Sequence, residues 1–213
     1  MGAPIMEVFK YGDPDANAVL IQPVDNHDLA FIENEIAEIS KLTNRSFHLL
    51  AFKVNHWNND LSPWQAPAVF GNDSFGDGAK AFLDEILQLT TAPDKTYYLG
   101  GYSLAGLFAL WAACQTDVFK GIAAVSPSVW FPDFTDYMKP NRVKCQSVYL
   151  SLGDKESKTR NAVMATESDR MRELHDLLNE QGVRCILEWN RGNHFREPDI
   201  RTAKAFAWVM QQS

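Results

Sequence analysis

Ser103 stands in the run Gly101-Tyr102-Ser103-Leu104-Ala105-Gly106, between an apolar β-type stretch and the small-residue start of a helix. Glycine two before a serine and alanine two after it match the spacing of a nucleophile elbow, with Ala105 in place of the second glycine and Gly106 one step later. A serine at a sharp strand-to-helix turn must adopt an unfavourable backbone geometry. The residues two before and two after it then approach so closely that only very small side chains fit. The hydroxyl is exposed at the carboxyl end of a strand, and the N–H of Leu104 points into a helix amino terminus where a developing oxyanion can be stabilised. Such a position suits nucleophilic attack on a carbonyl. Gly100 and Gly101 would also suit a plain strand end, so the reading depends on partners elsewhere in the chain.

A serine hydroxyl is a weak nucleophile until a base removes its proton, and the base needs an acid behind it to orient its imidazole. With this elbow the chain order is serine, acid, histidine, the acid following a later strand and the histidine the last one. Both places are filled. The apolar run 147–152 leads into Gly153, Asp154, Lys155 and Glu156, and the run 184–189 leads into Asn190, Arg191, Gly192, Asn193 and His194. His194 is the expected base. His48 alternates within a strand and His175 lies on a charged helix, whereas His27 and His56 follow strands but precede the serine and break the order. Glu156, three residues after Gly153, is favoured as the acid, with Asp154 as the alternative. Both could instead be solvated loop charges beside Lys155, Lys158 and Arg160. A second oxyanion donor is expected from Val24-Asp25-Asn26-His27, the loop following Leu20, Ile21 and Gln22; Pro23 has no N–H, and the backbone of Val24 or Asp25 is the candidate. A turn that merely caps the next helix explains the same residues.

The elements that must hold these groups are legible as alternation. Apolar β-type runs cover 7–11, 18–24, 47–54, 96–101, 121–125, 147–152 and 184–189. Helical periodicity covers 29–42, capped by Asp28, then 78–89, 105–113, 168–181 and 197–211, the last opening at Pro198. Strand and helix in alternation predict a mostly parallel sheet of about seven strands with helices on both faces. In such a sheet ligands bind beyond the carboxyl ends of the strands. The one long irregular stretch, 55–77, carries Trp57 and Trp64, and loops of that length are usually functional.

Composition narrows the function classes. With 213 residues and 46% hydrophobic content the chain suits one domain, 1–213. Its 20 basic and 27 acidic residues give a net charge of −7 with no basic stripe, which argues against a nucleic-acid partner. Cys114, Cys145 and Cys185 are widely spaced in apolar segments and read as buried free thiols in a reducing compartment. They suggest no metal spacing, and no metal or cofactor is expected. The start, Met1-Gly2-Ala3-Pro4-Ile5-Met6, reads as neither a secretory signal nor a myristoylation site, and no run approaches a membrane span. A cytoplasmic location without a membrane partner is the expectation. The oligomeric state is not legible.

The stretches Gly101 to Gly106, Gly121 to Trp130, Gly153 to Glu156 and Gly192-Asn193-His194 resemble an esterase family of α/β-hydrolases, the group with esterase D, enterochelin esterases and feruloyl or acetyl xylan esterases. The resemblance covers most of the chain. It implies the α/β-hydrolase fold and hydrolysis of carboxylic esters by Ser103, His194 and Glu156 or Asp154. It also sets Asp60-Leu61-Ser62-Pro63-Trp64 near an acyl pocket. From this sequence no inserted cap domain, no amino-terminal β-domain as in enterochelin esterases and no glycine-rich oxyanion loop as in lipases is expected, so neither siderophores nor long-chain lipids carry over as expected substrates. The expected activity is a serine esterase for small or water-soluble esters, with Trp57, Trp64, Trp130 and Phe131 as candidate pocket walls. The aromatics could equally be core residues. A thioesterase, amidase or peptidase would use the same groups, and a noncatalytic binding scaffold would keep the same fold.

Overall fold

The computed structural model describes residues 6–212. Residues 1–5, which carry most of the stretch read for targeting signals, lie outside the described residues.

The strands are β1 (Val8–Gly12), β2 (Ala18–Val24), β3 (Phe47–Lys53), β4 (Thr96–Tyr102), β5 (Phe119–Val125), β6 (Ser147–Gly153) and β7 (Arg184–Asn190). They form one sheet in the order β1-β3-β2-β4-β5-β6-β7. All neighbours run parallel except β1, which pairs antiparallel with β3 at the edge. β2 and β6 are buried along their whole length. That is why they read as mostly apolar runs, interrupted by the buried polar side chains Gln22, Ser147 and Ser151, since strands covered on both faces need no polar alternation. Pairing of β2 with both β3 and β4 makes their boundary the switch point, where chain connections leave in opposite directions. The loop after β2 and the turn after β4 therefore face each other across the sheet's carboxyl edge.

The helices are α1 (Asn26–Leu42), α2 (Trp57–Asp60), α3 (Ala79–Gln88), α4 (Leu104–Gln115), α5 (Phe134–Met138), α6 (Glu167–Glu180) and α7 (Pro198–Gln211). Residues of α1 and α7 share one core with one face of the sheet, and residues of α3, α4 and α6 share the other. α4 is apolar all round because it is enclosed, with Leu104 to Ala113 buried. α1 starts earlier than its periodicity suggests. Its cap is Asp25, not Asp28: Asp28 N–H donates to Asp25 Oδ1 at 2.8 Å and Asp25 N–H to Asp28 Oδ2 at 3.1 Å. This reciprocal capping box adds the polar first turn Asn26-His27-Asp28, which carries no apolar period. The stretch 55–77 is less irregular than expected, since it contains α2 and a bridge between Ala66 and Phe75. Of the cysteines, Cys145 is buried while Cys114 and Cys185 are only partly so. All three are free thiols, each pushed up to about 12 by burial. No helix among the described residues is long and apolar enough to cross a membrane.

Candidate active site

Ser103 lies between β4 and α4 with φ 59° and ψ −122°, a region that costs a non-glycine residue on the order of 1–3 kcal/mol. The surroundings hold it there. Ser103 N–H donates to the Val125 carbonyl at 3.0 Å, and the Ser103 carbonyl accepts from Ser128 N–H at 3.1 Å. A Cβ on Gly101 would stand 2.6 Å from Ala105 Cβ, so the turn can close only with glycine at that position. Leu104 is the first residue of α4, whose opening N–H groups have no acceptor within the helix. The Ser103 hydroxyl is half-buried, and its hydrogen-bond partner is Ser128 Oγ at 3.2 Å.

Glu156 and His194 come together from two loops at the same edge. His194 Nδ1 is 2.7 Å from Glu156 Oε2. The other carboxylate oxygen, Oε1, accepts from Gly153 N–H at 2.6 Å, Ser126 Oγ at 2.8 Å and Arg201 Nη1 at 3.1 Å. Only 1% of the Glu156 side chain is exposed. Burial pushes its pKa up, but the His194 hydrogen bond and charge, with the bonds from Ser126 and Gly153, outweigh burial and hold it below the ordinary value. Gly153 is required here for space, because a Cβ would fall 2.5 Å from the Gly192 carbonyl and 2.8 Å from Glu156 Oε1. Asp154 is placed differently. Its Oδ1 accepts from Gly192 N–H at 2.8 Å, tying the two loops together without touching His194.

Ser103 and His194 line one cleft of about 190 Å³, with Asp25, His27, Asp28, Trp57, Tyr102, Phe195 and Pro198. No hydrogen bond joins Ser103 Oγ to His194 among the described residues. Of the four aromatics expected as pocket walls, Trp57 lines this cleft. Trp130 and Phe131 are buried at 3% and 0% exposure. Trp64 packs on Phe131, Phe134 and Tyr137 and donates to the Pro132 carbonyl, so these three belong to an aromatic cluster that anchors the 55–77 segment. Leu61 and Ser62 are buried with it. Phe195, 86% exposed, and Tyr102 line the cleft without being among the expected pocket walls. The Asp25 N–H is occupied by the Asp28 carboxylate, while Val24 offers its carbonyl to Val54 N–H. Burial, more than the adjacent Asp25 charge, raises Asp28 to about 6. His27 borders the cleft as its position after β2 allows, whereas His56 caps α2 on another surface.

Arg201 is a further residue the sequence did not announce. It is 2% exposed on α7, a helix whose sequence would let an arginine face solvent. Its Nη1 donates to Glu156 Oε1 and to Tyr102 Oη at 3.2 Å, and its Nη2 donates to the Arg191 and Asn193 carbonyls at 3.3 and 3.2 Å. Tyr102 Oη in turn donates to the His194 carbonyl at 2.7 Å.

No protein-family model matches the chain, and no curated protein matches it in sequence. Solved structures do match. The siderophore hydrolase EstA from Aspergillus nidulans has a TM-score of 0.68 at 17% identity, over 99% of this chain and 96% of that one. An IroE-like serine hydrolase from Shewanella oneidensis reaches 0.74 at 14% identity, over 97% of this chain and 76% of that one. The enterobactin esterase FES from Shigella flexneri, with enterobactin, reaches 0.67 at 15% identity; 97% of this chain matches 55% of that one. The fold is accordingly that of the α/β-hydrolases, with no inserted cap among the described residues.

Proposed function

We propose that this protein is a serine hydrolase of carboxylic esters with small or water-soluble groups, built as one α/β-hydrolase domain. The observation that carries the reading is the 2.7 Å contact of His194 Nδ1 with a buried carboxylate, in the same cleft as a serine held at φ 59° on a strand-to-helix turn. That pairing leaves Nε2 of the imidazole to take a proton from Ser103, once its hydroxyl turns from Ser128. Ser103 Oγ bonds to the ester carbonyl carbon as its proton passes to His194. The tetrahedral oxyanion is held by Leu104 N–H, with Val24 or Asp25 N–H as the second candidate donor. For Asp25 this requires release from Asp28. The alcohol then leaves with the proton from His194, and water, activated by the same imidazole, cleaves the acyl-serine.

The cleft of about 190 Å³ is smaller than the ~300–1,000 Å³ usual for drug-sized ligands, which favours short acyl groups. The resemblance in fold to solved esterases adds support. Hydrolysis of short-chain p-nitrophenyl esters tests the reading: Ser103→Ala and His194→Ala should each abolish most of the rate. Retained activity in either folded variant overturns it. Parallel thioester and anilide substrates would define the leaving-group preference.

A further inference from the structure

Arg201 touches the acid, the histidine loop and the residue next to the serine. It bonds the acid directly through Glu156 Oε1. It grips the histidine loop on the near side of His194, through the carbonyls of Arg191 and Asn193. It bonds Tyr102, the neighbour of Ser103, whose hydroxyl continues to the His194 carbonyl. These contacts come from a helix that supplies no group to the cleft chemistry except through Pro198 at its start. A buried guanidinium is costly unless its charge is paired and its donors have acceptors, and here the charge partner and the acceptors of both Nη groups are groups flanking the proposed reaction centre.

We infer that Arg201 is a positioning residue that locks the His194 loop to Glu156 and to the Ser103 elbow, setting the imidazole's distance from the serine. The inference rests on the hydrolase reading for its catalytic consequence but not for its geometric one. A planar fork is needed, because Nη1 and Nη2 serve acceptors on different segments, and a lysine ammonium donates from a single point. Charge balance for Glu156 alone would require no contact with Arg191, Asn193 or Tyr102.

The test compares wild type, Arg201→Met and Arg201→Lys by two readouts. One is the low-field proton resonance of His194 Nδ1 bonded to Glu156, which needs no turnover. The other is the split of kcat from KM on p-nitrophenyl acetate, with folding checked by circular dichroism. In folded R201M the resonance should broaden or vanish and kcat should fall about 100-fold with little change in KM, as expected when the imidazole is misplaced by about 1 Å. R201K should recover the fold and only part of kcat. Should R201M fail to fold, R201K decides by the same readouts. An unchanged resonance in the folded variant overturns the inference, as does an unchanged kcat in an active enzyme. If the wild type cleaves no ester, the hydrolase reading fails and the resonance alone decides the role of Arg201.

Discussion

Glu156, just beyond β6, and Glu35, in the middle of α1, are sealed from solvent to a similar degree, 8% and 3% exposed. Their surroundings differ. Glu156 meets His194, Ser126, Gly153 N–H and Arg201, and its pKa lies below the ordinary value. Glu35 has Gln22 Nε2 at 3.3 Å, while its Oε1 and the Gln22 Oε1 have no hydrogen-bond partner among the described residues. Burial therefore dominates and raises it well above the carboxylate range, with Asp28 and Asp199 adding to the rise. Glu167, at the start of α6, behaves like Glu35: burial, then the Glu156 charge, takes it to about 9. Burial with few or no donors raises a carboxyl's pKa in this fold, and nearby acidic charges add to the rise. Among these three buried carboxyls, donors converge on the one that faces His194, and that asymmetry sets the candidate site apart.

The largest expected break in the comparison is Glu156→Gln. An amide in that position favours the wrong imidazole tautomer and removes the charge that supports an imidazolium, a loss of about 10⁴-fold in kcat by analogy with serine proteases. Glu35→Gln should leave kcat essentially unchanged in the same p-nitrophenyl ester assay. A loss of similar size in both would place the asymmetry in folding rather than chemistry.

Next in size is a pH effect on stability. The folded pKa of Glu167 is raised, so its relative stabilisation is complete below the unfolded value near 4.5 and is lost as pH rises towards about 9. Glu167→Gln removes that loss, which is on the order of 3 kcal/mol near pH 7. Melting curves should bring variant and wild type together near pH 4 and separate them increasingly, with the variant higher, up to pH 9. Glu156 has the opposite sign: its contribution is present above the unfolded pKa and disappears as acid protonates it.

The smallest effect is expected at Asp154. Its Oδ1 accepts from Gly192 N–H, and the amide oxygen of an asparagine can do the same. Asp154→Asn should cost less than about tenfold in kcat, since the bond that steadies the loop survives. A loss matching that of Glu156→Gln would reverse the roles given to the two acids.

Much of this arrangement is legible in the chain because the sheet is covered on both faces. β2 and β6 are dominated by apolar residues, and their ends at Val24 and Gly153 mark where loops must converge. Chain order then leads to His194, and the offset from Gly153 leads to Glu156. What the chain conceals depends on side chains meeting across distant elements. Arg201 looks like a surface residue of an amphipathic helix until α7 is laid against the loops after β6 and β7. Trp64, Trp130 and Phe131 have the composition of a ligand pocket but pack in an aromatic cluster, Trp64 on Phe131 and both Phe131 and Trp130 on Phe75, an outcome that residue type cannot distinguish. The first turn of α1 is hidden for a local reason, since Asp25 and Asp28 cap each other in a polar stretch with no apolar period.

The most direct test of a nucleophile at position 103 is labelling with a fluorophosphonate probe, followed by mass spectrometry of the modified peptide. A stoichiometric adduct on Ser103 in wild type, strongly slowed in His194→Ala and absent from Ser103→Ala, is the predicted result. No adduct on the folded wild type, or equal labelling of Ser103→Ala, would contradict the account.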